Sequence, residues 1–186
     1  MPIVKTSKEE VLLRATKLIR RQGYHQATMK DLAAACGVQA SLFYYYFENK
    51  EVLMREVLEF SLAFFRDYAL RYADDDRLTP LEKMDKMVQS IARINKHLEG
   101  GCLMGNTALE VGHTEAPFLE VVRTFFEEFA GALAKVYGTH YDEVRARQLA
   151  EQVIQDVEGG IMLSVLYKDD RFMQSAFQRA KAWCMP

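Results

Sequence analysis

Cysteine, proline and tryptophan are all scarce in this 186-residue chain, which holds three, four and one of them. The cysteines, Cys36, Cys102 and Cys184, are odd in number and far apart. That excludes a disulfide framework or a cysteine zinc site and implies reduced thiols. No apolar run approaches the roughly 18 residues that a membrane helix needs, and no signal-peptide pattern opens the chain, so a cytoplasmic protein with no membrane partner is expected. With few prolines, and with glycines falling mostly between periodic segments, long stretches are free to be helical. No repeat or low-complexity tract breaks the pattern. What is present, 49% hydrophobic and 27% charged residues, describes a soluble globular chain of one large or two small domains.

The stretch from Thr28 to Glu51, TMKDLAAACGVQASLFYYYFENKE, is the most informative. Thr28 and Asp31 form a capping box, which satisfies two backbone donors left free at a helix start. Leu32, Ala33 and Ala35 give a short helix, and Gly37 ends it, because glycine takes the left-handed conformation past a helix end without steric cost. Val38 plugs the corner. A second short helix, roughly 40–47, follows, and Asn49 caps a third. Two helices set at an angle by a glycine turn make a helix-turn-helix, whose second member enters the DNA major groove.

That second helix sorts its own faces. At about 100° per residue, Phe43 and Phe47 share the side to be buried. Ser41 and Tyr45 then point away from the core, with Leu42 and Tyr44 beside them and Tyr46 nearer the buried edge. Exposed rings with hydroxyl tips suit DNA, where a Tyr O–H donates to a phosphate oxygen and the ring covers sugar. Lys50 adds a cation near the same surface.

This stretch resembles the DNA-binding motif of the tetracycline-repressor (TetR) family, on Thr28, Lys30, Leu32, Ala33, Gly37, Val38, Phe43, Tyr44, Tyr46, Phe47, Lys50 and Glu51. The resemblance covers about the first third of the chain. It implies an all-α fold, with a three-helix DNA-binding unit over residues 1–48 and a helical effector-binding and dimerisation unit over 49–186. It also implies phosphate contacts from Thr28, Tyr44, Tyr45 and Lys50, and base or groove contacts from Lys30, Gln39, Ser41 and Leu42. At position 40 the family often has Lys or Arg and at 42 Ser or Thr; here Ala40 and Leu42 stand there, so bidentate base reading is weakened at both.

Charge agrees with that division. Residues 1–58 hold nine Lys and Arg against six Asp and Glu, a surplus of +3, while the rest hold fifteen against twenty, or −5, within a net −2. A surplus of three predicts weak, salt-sensitive non-specific binding to DNA, so the grip must come from two copies acting together.

About nine helices are predicted. Ser7 and Glu10 cap the first, with Val11, Leu12, Ala15, Leu18 and Ile19 along one face; Lys5 precedes it within reach of DNA. Tyr24 packs beneath the motif. The fourth runs from Asn49 to about Ala73, with Leu53, Val57, Phe60, Phe64 and Tyr68 on one side. Thr79, Pro80 and Glu82 open the fifth, whose stripe is Leu81, Met84, Val88, Ile91 and Leu98. The sixth starts at Cys102 and ends near Gly112, the seventh spans Pro117 to about Tyr137, and the eighth Asp142 to Lys168. Gly159 and Gly160 lie inside the eighth, at a cost of roughly 1 kcal/mol each against alanine, which predicts close approach of another backbone there. The ninth spans Arg171 to Trp183.

Wide apolar faces on the last two helices predict an isologous homodimer through a four-helix bundle, built on Val153, Val157, Gly160, Ile161, Val165, Phe177 and Ala180. Two-fold symmetry predicts a palindromic double-stranded operator with half-sites about 34 Å or more apart. An apolar cavity for a small-molecule effector is expected between helices four and seven. Its predicted lining is Phe60, Phe64, Tyr68, Met84, Met87, Ile91, Cys102, Leu103, Met104, Phe118, Val122, Phe125 and Phe126, with Thr107, Asn106 or His97 as orienting groups.

Cys102 follows two glycines at a helix start, where free N–H groups and the dipole lower a thiol pKa. The segment GGCLMGNTALEV resembles that of family members which sense electrophiles through a thiol. The rival class is a helical-bundle enzyme. Glu110 and His113 have the spacing of a di-iron ligand pair, but no second Glu-x-x-His occurs. Cys102 with His97 or His113 lacks a third orienting group. Neither a cofactor nor a metal is expected.

Overall fold

The computed structural model describes residues 7–96 and 100–185; Lys5, His97 and Leu98 lie outside the described residues. Within them the chain is helical, with α1 Lys8–Gln22, α2 Met29–Cys36, α3 Ala40–Tyr46, α4 Lys50–Tyr68, α5 Pro80–Lys96, α6 Leu103–Val111, α7 Leu119–Tyr137, α8 Glu143–Tyr167 and α9 Arg171–Ala182. No strand occurs among the described residues.

Four side-chain caps set the helix starts. Ser7, Thr28, Asn49 and Asp142 accept from the backbone N–H groups of Glu10, Asp31, Val52 and Arg145. At α5 the capping box closes both ways: Thr79 N donates to Glu82 Oε2 at 2.8 Å and Glu82 N to Thr79 Oγ1 at 3.3 Å. Gly37, at φ 67°, ends α2 in the left-handed conformation.

Helices α1 to α3 close over Val11, Ala15, Leu32, Cys36, Phe43 and Phe47, all fully buried. Arg14 Nη1 donates to Cys36 O at 2.8 Å, tying α1 to the end of α2. Lys8 reaches Glu56 on α4 at 2.5 Å. The remaining helices carry the C-terminal part of the same core, in which Tyr137 donates to Ala180 O at 2.8 Å and so fixes α7 on α9.

Helix α4 departs from its predicted length and face. It ends at Tyr68 and tightens into a 3₁₀ turn, Leu70–Asp74, a common way of satisfying the last carbonyls. Its buried residues are Leu53, Met54, Val57, Leu58, Leu62 and Phe65. The stripe drifts around the helix because its first half serves the N-terminal part of the core and its second half the C-terminal part. Phe64 is left exposed, stacked on Tyr68 at 5.2 Å.

Candidate functional site

The outward side of α3 carries exposed Ala40, Ser41, Leu42, Tyr44 and Tyr45, and Tyr45 is 82% exposed. Two buried rings beneath, Phe43 and Phe47, 5.2 Å apart edge to face, hold it in place. Gln39 at its start is exposed and makes no side-chain cap. Lys30 on α2 is exposed beside it. Two of the predicted phosphate ligands are partly committed elsewhere. The Thr28 hydroxyl donates to Asp31 Oδ2 at 2.6 Å within its cap. The Lys50 ammonium turns back, donating to His25 O at 3.1 Å and lying 4.5 Å from the Tyr24 ring, where burial lowers its pKa.

A cavity of about 320 Å³ lies between the N-terminal unit and the remaining helices. Of the predicted lining, Phe60, Phe64, Ile91, Cys102, Leu103, Met104 and Phe125 reach it. Met84, Met87, Phe118, Val122 and Thr107 do not; they are closed into solid core, and the Thr107 hydroxyl is spent on Leu103 O at 2.8 Å. Tyr68 sits outside on Phe64, Phe126 packs edge-on behind Phe125, and Asn106 donates to Gly100 O. Sequence reasoning missed the wall from α1, which is Leu13, Thr16, Lys17 and Arg20 with Glu9 at the rim. Leu13, an apolar residue off the main stripe of α1, was the available signal.

The floor is polar. Buried Arg20 donates through Nε to Gly101 O at 2.9 Å, with Nη2 on the same oxygen. Burial lowers its pKa, while Cys102 and Glu158 oppose that. Burial raises the pKa of Glu158, which lines the cavity together with Cys102. Gly100, at φ 98°, is required here, because a Cβ would overlap the Arg20 carbonyl. The expected lowering of the Cys102 thiol pKa is not what its surroundings favour. Cys102 does cap α6, its Sγ accepting from Gly105 N at 3.4 Å, but burial and Glu158 push its thiol well above the ordinary range. Cys36 is likewise pushed to about 11 and Cys184 to about 12.

The predicted dimer residues are corrected as well. Val153, Val157, Gly160, Ile161, Phe177 and Ala180 are buried inside the chain, leaving only Val165 exposed. Val157 and Ile161 line the cavity. Gly160 lies against the backbone of Phe172 and Met173 on α9, as the glycine pair implied, whereas Gly159 faces open space. The exposed apolar surface of α8 is instead Met162, Val165, Leu166 and Tyr167, with Leu109 of α6 nearby. A groove through Gly105, Leu109, Gly159, Met162 and Val165 runs between these two helices.

The ligand pair of the enzyme reading is dismantled. Glu110 accepts from Tyr24 N at 2.7 Å and His25 N at 2.6 Å, so both oxygens serve the turn after α1. Among the described residues no group of three or more His, Cys, Asp or Glu side chains is placed to hold a metal. None of their helices is long and apolar enough to cross a membrane.

A helix-turn-helix with an exposed, tyrosine-rich second helix, carried on an all-helical body, defines a DNA-binding transcriptional regulator. Residues 7–57 match the family model described as bacterial regulatory proteins, tetR family, and residues 80–179 match the transcriptional regulator LmrA/YxaF-like C-terminal domain. The chain belongs to the TetR family of transcriptional regulators, which are not enzymes. It is 26% identical to the HTH-type transcriptional regulator YxaF of Bacillus subtilis strain 168 over 167 residues, 88% of this chain and 87% of that one. A 69-residue stretch is 29% identical to the biofilm operon icaADBC HTH-type negative transcriptional regulator IcaR of Staphylococcus epidermidis, 37% of each chain. The crystal structure of a TetR transcriptional regulator from Legionella pneumophila superposes with a TM-score of 0.86 at 27% identity, covering 98% of both chains.

Proposed function

We propose that this chain is a homodimeric repressor that holds a palindromic operator and releases it when a small molecule occupies the cavity. The observation that carries the reading is the outward row on α3, where Tyr44 and Tyr45 stand exposed over buried Phe43 and Phe47. Residues 1–48 serve as the DNA-binding unit and 49–186 as the effector-binding and dimerisation unit. Phosphates are met by Tyr44, Tyr45 and the α2 start at Thr28; groove edges are met by Lys30, Gln39, Ser41 and Leu42. Repression, rather than activation, is favoured by the likeness to IcaR, a negative transcriptional regulator.

The two copies meet through the exposed apolar side of α8, Met162, Val165, Leu166 and Tyr167, because the inner side is already spent. Contiguous exposed apolar surface of this kind marks an interaction site. The effector binds without covalent chemistry, a reading supported by the raised pKa of the Cys102 thiol. It shifts the population between operator-fitting and operator-releasing dimers, by no more than its difference in affinity for the two.

Selection from a random double-stranded DNA library, followed by gel shifts and sedimentation, tests the reading. The expected result is an enriched palindrome bound by two copies. Enrichment of no sequence, or of single half-sites by a monomer, overturns it.

A further inference from the structure

The cavity has a wall that belongs to the DNA-binding unit. Leu13, Thr16, Lys17 and Arg20 fall three, four and seven residues apart, one face of α1, while the opposite face, Val11, Ala15 and Ile19, closes the core of the motif. Across the cavity stand the rings of Phe60, Phe65, Phe125 and Phe129. Its volume of about 320 Å³ is near the lower end for small-molecule sites, which suits a compact ring system.

The floor decides the charge of the occupant. Glu9 and Glu158 face Lys17 and Arg20 around the cavity, so the formal charges of its lining already balance. A further unit charge in such an apolar enclosure is left unmatched, at a large desolvation cost. Arg20 turns Nε and Nη2 to Gly101 O and reaches Asn95 Oδ1 at 3.5 Å, whereas the carboxylate of Glu158 brings about four acceptor positions to the cavity lining. The unfilled capacity is for a donor.

We propose that the cavity takes an uncharged, mainly aromatic molecule with one hydrogen-bond donor directed at Glu158, and that this molecule touches α1 directly. The proposal rests on the effector reading above and adds the ligand class and the route. The signal passes from ligand to the motif's first helix in one contact, beside the α4 wall of Phe60, Phe64 and Phe65. A molecule larger than the gap drives α1 away from α8, and the motif moves with it.

The test uses the intact dimer and two fluorescent probes of one skeleton: uncharged N-phenyl-1-naphthylamine, with a single N–H, and anionic 1-anilinonaphthalene-8-sulfonate. The uncharged probe is expected to bind saturably and about tenfold or more tighter than the anion, and equal or reversed affinities overturn the ligand class. Leu13 is 46% exposed, so Leu13→Trp fills the cavity from the α1 side without emptying the core. It is expected to weaken the uncharged probe about tenfold or more with unchanged helicity and melting; unchanged affinity overturns the α1 wall. Glu158→Gln, which leaves Arg20 unmatched, is expected to weaken the uncharged probe and strengthen the anion, and no change in their ratio overturns the charge argument. Operator gel shifts on the same samples separate the two readings. Probe binding that depends on Leu13 but leaves the operator complex intact supports the cavity assignment and counts against release by the effector.

Discussion

Two outward helix faces of this molecule, on α3 and α8, are both aromatic and apolar, yet they arise differently. On α3 the exposed row follows from eight or so neighbouring residues: a glycine corner and two phenylalanines four apart leave Tyr44 and Tyr45 nowhere to go but outward. On α8 the apolar residues encircle the helix, and which side stays exposed depends on where α7 and α9 pack. Local turn chemistry determines the first face; tertiary packing determines the second.

The comparison breaks first on the α8 side. Met162→Asp with Leu166→Asp is expected to leave monomers in sedimentation and to cost about 10²- to 10⁴-fold in operator affinity as bivalency is lost; a stable dimer would remove α8 from the interface. On the α3 side, Tyr44→Ala is expected to cost each half-site about 1–3 kcal/mol. Summed over two copies this lowers affinity by about 30-fold or more, with dimerisation unchanged.

Smaller effects sharpen the contrast within α8. Gly160→Val pushes a side chain against the α9 backbone and is expected to destabilise by about 1–3 kcal/mol in denaturant unfolding. Gly159→Ala, facing open space, is expected to stabilise by up to about 1 kcal/mol. Opposite signs at adjacent glycines would confirm which side of the helix is spent.

The smallest effect concerns pH. Glu158, its pKa raised above the ordinary 4.5 by burial, holds its proton more tightly in the folded state. Its contribution to stability is therefore full below pH 4.5 and is lost as pH rises through the raised value. Between pH 4.5 and neutrality the native chain should lose more stability than Glu158→Gln, measured by paired urea titrations.

The same contrast explains what the sequence disclosed. Helix starts at Thr28, Asn49, Thr79 and Asp142 were legible because a cap is a contact between residues three apart. The buried pair on α3 was legible for the same reason. The stripe of α4 was misread because the helix serves the N-terminal and the C-terminal parts of the core in succession, and Phe64 belongs to neither. Val157 and Ile161 read as a dimer seam, since periodicity reports that a face is buried and not against what. Cys102 was placed correctly at a helix start, but the burial that opposes its activation, with Glu158 56 positions onward adding to it, is visible only in three dimensions.

Helix α6 is strapped to the reading head at both ends: Arg20 grips the loop before it, and Glu110 near its far end clasps the turn that follows α1. Nine residues of helix span only about 13 Å, too short to flex. It is a splint, so that whatever lifts its first residue from the cavity floor must lever the whole N-terminal unit or snap one of the two straps.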